Sequence, residues 1–209
     1  MSKITVTTIA GLTSGGDANK VKIESGDTLE VVTNATVGGT LGVNTIQHTG
    51  GTSALVINSA GVVTTPARPA FRVVRSVDQA IADNTTTVIQ LDTKSGNSEL
   101  FDIGGYFNTS NYRYVPQVAG YYSITLGTLL ESPNYQFATI RKNGASQFTN
   151  RAWSESGIFS TGQVTGVIHL NGSSDYIDAV VYHNAGSSKN LRGLDGGIET
   201  TYLCGYLIG

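Results

Sequence analysis

The chain has 209 residues, of which 13% are charged, with a net charge of −2 and one cysteine. That is about half the roughly 25% charged share of an average domain. The longest basic run is Arg141-Lys142, which argues against a nucleic-acid face, and one cysteine excludes an intrachain disulfide framework. Twenty-six glycines accompany frequent Thr, Ser and Asn. This composition favours strands and turns, because β-branched residues suit a pleated surface and Gly and Asn suit turns. No stretch approaches the ~20 apolar residues of a membrane helix. The N-terminus shows neither an apolar core nor a small-residue cleavage site, so the expectation is a protein made and folded in a cytoplasm without export.

Residues 1–18 open with the alternating run Ile4-Thr5-Val6-Thr7-Thr8-Ile9, closed by Gly11 and Ser14-Gly15-Gly16-Asp17. A lone strand is unstable, so this one either pairs with the adjoining residues 19–65 or docks onto another protein. Residues 19–65 repeat a loose unit of two or three alternating apolar residues and a Gly turn. Val21 and Ile23, Leu29 and Val31, Leu41 and Val43, and Leu55 and Ile57 supply the apolar positions. No unit buries enough surface alone, so the segment reads either as a β-stem wound with copies of itself or as a Gly/Thr linker; the regular alternation favours the stem. Pro66 and Pro69 stiffen the connector after it.

From residue 69 the pattern is one of short strands, predicted at 70–75, 87–91, 112–115, 120–129, 136–141, 162–170, 176–183 and 201–208. Turn signals fall at Lys94–Asn97, Asn143-Gly144, Asn171-Gly172 and Gly193–Gly197, Asn-Gly pairs being strong ones. No amphipathic helix is evident, and many short strands imply a sandwich, jelly roll or barrel. The densest aromatic stretch is Tyr112 to Ile124, two alternating runs around Pro116 and Gly120.

The candidate chemistry is sparse. His169 and His183 fall on successive predicted strands and are candidates to approach one another; surface or interface histidines are the competing reading, as for His48. Asp175 and Asp178 flank a strand start and are weak candidates for a calcium site; turn aspartate is the competing reading, so no metal site and no cofactor are assigned. There is no Gly-x-Ser-x-Gly elbow and no phosphate-binding loop leading into a helix, so no enzymatic activity is expected. Trp153, within Asn150–Gly157, reads as an exposed aromatic in a polar loop. Cys204 reads as a small buried hydrophobe.

Two resemblances add to this. Pro69-Ala70-Phe71, Val88-Ile89-Gln90-Leu91-Asp92, Tyr114-x-Pro116-x-x-x-Gly120-x-Tyr122, Ile140-Arg141-Lys142-Asn143-Gly144, Leu170-Asn171-Gly172 with Asp175, and Tyr202-Leu203-Cys204-Gly205-Tyr206-Leu207-Ile208 succeed one another in order. Together they resemble the superfamily of tumour-necrosis-factor-like cytokines and complement-subcomponent-q heads. Two residues separate Gly172 from Asp175 where the family has Gly-Asp, and Ser123, Ile124, Tyr202 and Cys204 depart from its usual residues. The resemblance implies a trimeric jelly roll, with Phe71, Tyr112, Tyr114, Tyr122 and Tyr206 as trimer-core residues. The opening Met1–Ile9 and the phrases Ala35–Val43 and Gly51–Gly61 resemble the attachment segments and stems of tailed-bacteriophage virion fibres.

The combined expectation is an all-β chain: a particle-attachment strand at 1–18 anchored by Ile4, Val6 and Ile9, an intertwined β-stem at 19–65, and a jelly-roll head at 66–209. Receptor-binding loops are expected at Tyr106–Asn111, Trp153–Gly157 and Ser187–Gly197, through Tyr106, Asn108, Trp153, Asn190 and Arg192. The implied partners are two further copies, another virion protein at the N-terminus and a host-surface glycan or protein; the implied location is the virion. A capsid decoration protein or head fibre, and a cytoplasmic carbohydrate-binding module, are the rival readings.

Overall fold

The computed structural model describes residues 41–47, 51, 53–94, 99–155, 157–195 and 198–208. Contacts divide the chain into two compact units, Met1–Val43 and Asn44–Gly209. The expected anchor residues Ile4, Val6 and Ile9, and the stem as far as residue 40, lie outside the described residues. So does His48.

The second unit begins with three short strands, β1 (Thr45–Gln47), β2 (Ser53–Ile57) and β3 (Val63–Thr64), paired antiparallel in the order β1-β2-β3. The β2–β3 turn is held by the Asn58 side-chain oxygen, which accepts the Ala60 and Val62 N–H groups at 2.9 Å each. Its apolar side chains Ile46, Ile57 and Val63 remain exposed.

The remaining strands are β4 (Ala70–Val74), β5 (Gln79–Ile81), β6 (Thr87–Val88), β7 (Phe101–Ile103), β8 (Phe107–Asn108), β9 (Arg113–Tyr114), β10 (Ala119–Glu131), β11 (Tyr135–Lys142), β12 (Ala145–Trp153), β13 (Phe159–Asn171), β14 (Ile177–His183), β15 (Lys189–Leu191), β16 (Leu194–Asp195), β17 (Ile198–Glu199) and β18 (Tyr202–Leu207). The first large sheet runs β7-β4-β18-β10, with β13 on the free side of β10 and β15-β5 beyond its end. The second runs β12-β11-β14-β9-β8, with β6 also on β14. All their pairings are antiparallel. The chain crosses between sheets after β5, β6, β7, β9, β10, β12, β13 and β14. That connectivity is a jelly roll.

β10 sets the frame. Its 13 residues pair with β13 from Ala119↔Asn171 to Glu131↔Phe159. Its inward positions Tyr122, Ile124, Leu126 and Leu130 are fully buried, as the period-two pattern of a half-buried strand dictates. Opposite them stand Tyr114, Ala138, Ile140, Ile177, Ala179 and Val181 from the second sheet. The Tyr114 ring stacks on Phe71 at 3.9 Å and meets Tyr122 edge-on at 6.0 Å.

This corrects the trimer-core expectation. Phe71, Tyr114 and Tyr122 are fully buried within one chain and have no surface left for a partner. The Tyr122 hydroxyl donates to the Val118 carbonyl at 2.8 Å, and burial pushes its phenol up to about 12. Tyr112 precedes β9 in a left-handed conformation, φ +60°, so the expected Tyr112/Tyr114 alternation breaks there. Tyr206 alone of the five points outward and is exposed.

Two other expectations change. The stretch before Trp153 is the nine-residue strand β12, not a loop. Leu194–Asp195 (β16) and Ile198–Glu199 (β17) pair antiparallel, so strand residues overlap the expected Gly193–Gly197 turn. The Asn143-Gly144 turn holds, with φ +52° and +80° joining β11 to β12, the positive-φ pair of a tight hairpin.

Candidate functional site

The outer face of the second sheet carries the densest aromatic surface. Along β11, Tyr135, Phe137 and Thr139 alternate outward; along β12, Thr149, Arg151 and Trp153 do the same. The hairpin register brings Tyr135 opposite Trp153, Phe137 opposite Arg151 and Thr139 opposite Thr149. On the other side of β11, Tyr182 of β14 stands opposite Phe137.

A bulge makes this register. Near the turn Lys142 faces Ala145 and Arg141 faces Ser146, but Ile140 then faces Phe148. Gln147 is the extra residue. In a regular register, with Gln147 paired to Ile140, Tyr135 would face Ala152, because a one-residue slip exchanges the two faces of a strand.

The rings form one continuous strip. Tyr135 lies 5.0 Å from Trp153 and 5.3 Å from Phe137 between centroids, and Phe137 stacks on Tyr182 at 5.5 Å and 18°. The Arg151 guanidinium sits over Phe137 at 4.4 Å and within 5.9 Å of Tyr135. The hydroxyls of Thr139 and Thr149 bond across the strands at 3.0 Å. Tyr135, Phe137, Thr139, Thr149, Arg151 and Tyr182, with Thr86, Ser146 and Val180, line an open depression of about 460 Å³, within the roughly 300–1,000 Å³ range of ligand sites. Trp153, against Tyr135, is 69% exposed.

The strip is held from beneath. Gln136, fully buried between Tyr135 and Phe137, accepts from the Thr128 hydroxyl at 3.1 Å and donates to the Ser160 carbonyl at 2.7 Å. This ties β11 to both β10 and β13. Buried His183 donates from Nε2 to the Ile81 carbonyl at 3.0 Å while its Nδ1 accepts the Ala185 N–H at 3.3 Å. Asn84, left-handed at φ +51°, receives the Tyr182 hydroxyl at 2.9 Å. A hydrogen bond with Tyr135 holds the Tyr182 phenol above its ordinary value.

A second surface covers the outside of the first sheet. Ile103, Ala70, Tyr206, Ser123 and Val167 form one row across five strands, and Phe101, Arg72, Cys204, Thr125 and Thr165 the next. Tyr121 lies beside His169, 5.2 Å away. Tyr121 is 57% exposed, Tyr206 53% and Val167 52%, and Phe101 and Ile103 are also exposed. The outward face of a sandwich strand is usually polar, whereas this one sets large apolar and aromatic side chains among Arg72, Ser123, Thr125 and Thr165. A depression of about 340 Å³ runs between Phe101, Cys204 and Tyr206. Burial raises the Cys204 thiol above its ordinary value.

The sequence-predicted site residues are not gathered together. Tyr106 is half-buried, edge-on to Tyr114 at 6.2 Å; exposed Asn108 begins the turn into β9. Both lie at the end of the sandwich where Tyr114 pairs with Ile177. Trp153 lies at the opposite end, near the Gln136↔His183 pair. Asn190 lies on β15 of the first sheet and Arg192 follows that strand, with Arg192 bonded to Glu131 at 3.1 Å and beside Asp78. Only Trp153 belongs to the aromatic strip, as a strand residue.

The calcium candidates are taken by basic partners. Asp178 receives a two-pronged contact from Arg141 at 2.6 and 2.7 Å. Asp175 meets Lys142 and Asn143 at 2.7 Å. Among the described residues no three His, Cys, Asp or Glu side chains gather as a metal site. His169 and His183 fall on different sheets, His169 exposed and His183 buried, because the chain changes sheet between β13 and β14.

No protein-family model and no curated protein matches the chain. Solved structures do match. The globular domain of zebrafish complement 1qA protein aligns over 68% of this chain and 98% of its own at 16% identity, TM-score 0.44. The likeness is one of fold. Eiger TNF from S. frugiperda aligns over 68% and 94% at 10% identity, TM-score 0.48, and murine APRIL over 68% and 99% at 14% identity, TM-score 0.46.

Proposed function

We propose that this chain is a homotrimeric virion protein of a tailed bacteriophage, a fibre whose jelly-roll head contacts the host surface. The observation that carries the assembly is the apolar outer face of the first sheet. Phe101, Ile103, Tyr121, Val167 and Tyr206, from four strands of the sheet, expose large side chains on one side of it, and contiguous exposed apolar patches mark interaction surfaces. The small β1-β2-β3 sheet supports the same reading: with Ile46, Ile57, Val62 and Val63 exposed, it gains stability by packing on copies of itself. The virion role is supported by the N-terminal phrases Met1–Ile9, Ala35–Val43 and Gly51–Gly61.

In this arrangement the first sheet faces the sister chains and the aromatic strip on the second faces outward. The work is mechanical and adhesive. Weak contacts at each head are multiplied by three heads per fibre and several fibres per particle.

Gold-labelled antibody against this chain, viewed on intact particles by electron microscopy, tests the reading. Label on projecting fibres is the expected result. Label spread over the shell would replace the fibre with a decoration protein, and unlabelled particles would refute the virion role.

A further inference from the structure

We infer that the depression over β11, β12 and β14 binds an acidic sugar, a hexose-sized ring carrying a carboxylate or sulfate. The inference rests on the proposed surface-contact role and names the ligand of that surface.

Three features decide the chemistry. The wall carries Tyr135, Phe137 and Tyr182, and the strip continues from Tyr135 to Trp153. Such a strip takes the C–H face of a sugar, while its tyrosine hydroxyls and the Thr139–Thr149 pair offer hydrogen bonds to ring hydroxyls. The volume, about 460 Å³, suits one or two sugar units. The charge is set by Arg151. Its guanidinium carbon lies over the Phe137 ring, 4.4 Å from the centroid, and among the described residues no carboxylate pairs with it.

An aromatic strip without this arginine would equally suit a quaternary ammonium group. Arg151 already occupies the ring face and repels a second cation. Its planar fork, fixed by stacking, matches a carboxylate or sulfate. The Asp83 carboxylate, which acts on Tyr182 across the packed elements, is engaged by Asn84 Nδ2 at 2.6 Å and the Gly186 N–H at 2.8 Å.

The test uses the full chain, titrated by calorimetry and saturation-transfer NMR with glucuronate, N-acetylneuraminate, galactose 6-sulfate and neutral methyl galactoside. At least one acidic sugar should bind tenfold or more tightly than methyl galactoside. Arg151→Gln should abolish that preference and Trp153→Ala should weaken both classes, with thermal melting unchanged in either variant. The carboxylated and sulfated arms separate the two anion sources. Equal binding of neutral and acidic sugars, or an Arg151→Gln variant that keeps the preference, would overturn the inference. If the purified chain adheres to host cells while no acidic sugar binds, the inference falls and the attachment role stands. Acidic-sugar binding with the stated Arg151 dependence, without cell adhesion, would support the site and refute the attachment role.

Discussion

Tyr206→Ala separates assembly from folding. Tyr206 is 53% exposed in the single chain, and an aromatic side chain carries ~150–250 Å² of surface. Roughly 100 Å² is therefore left for a partner to cover. At ~25 cal/mol per Å² that burial stabilises the assembly by about 2.5 kcal/mol per chain. Truncation to alanine removes most of it, about 2 kcal/mol per chain and about 6 kcal/mol per trimer. At ~1.4 kcal/mol per tenfold, the trimer dissociation constant should rise by about four orders of magnitude. The fold should change by less than ~1 kcal/mol, because the lost atoms lie outside the core. Size-exclusion chromatography with light scattering over a dilution series reads the first effect, and thermal melting of the dissociated chain reads the second. Trp153→Ala, on the opposite sheet, is the control and should leave the mass unchanged. A Tyr206→Ala variant as tightly assembled as wild type would refute the placement of the interface.

The two core tyrosines should respond differently to loss of the hydroxyl. Tyr122→Phe loses the bond to Val118 and should cost about 1 kcal/mol. The buried Tyr114 hydroxyl has no hydrogen-bond partner, so Tyr114→Phe should be neutral or more stable in urea unfolding; a larger loss than for Tyr122→Phe would contradict this packing of the core. Asp178→Asn leaves the Arg141 guanidinium without its buried carboxylate and should cost about 3 kcal/mol, readable in the same assay; an unchanged midpoint would show that the pair contributes nothing net. Lys142 and Asn143 hold the Asp175 carboxyl below its ordinary value of 3.8. Its contribution is therefore complete above that value and lost as pH falls through the lowered one. Asp175→Asn should lower stability at neutral pH and flatten the acid limb, and parallel acid limbs would exclude the linkage.

The eight strands predicted from alternation all correspond to strands of the two large sheets, because their inward residues are large and apolar. β12 escaped for the opposite reason. It is an edge strand whose polar residues Ser146, Gln147, Thr149, Asn150 and Arg151 read as a polar loop. The aromatic strip was illegible for a further reason: Trp153 meets Tyr135 only because of the bulge at Gln147. Plain counting from the Asn143-Gly144 turn puts Ala152 there. The alternations Tyr135-x-Phe137 and Arg151-x-Trp153 were signals that could have found it. Tyr114 and Tyr122 show the reverse ambiguity, since alternation reveals that a residue is inward but not whether it faces its own chain or another. Only sheet pairing resolves that, and it leaves Tyr206 as the outward aromatic.

The most direct test of the proposed trimer is the mass of the intact chain in solution. Sedimentation equilibrium should give three times the 21.9 kDa chain mass, constant across micromolar loading concentrations. A single-chain mass over the same range would contradict it.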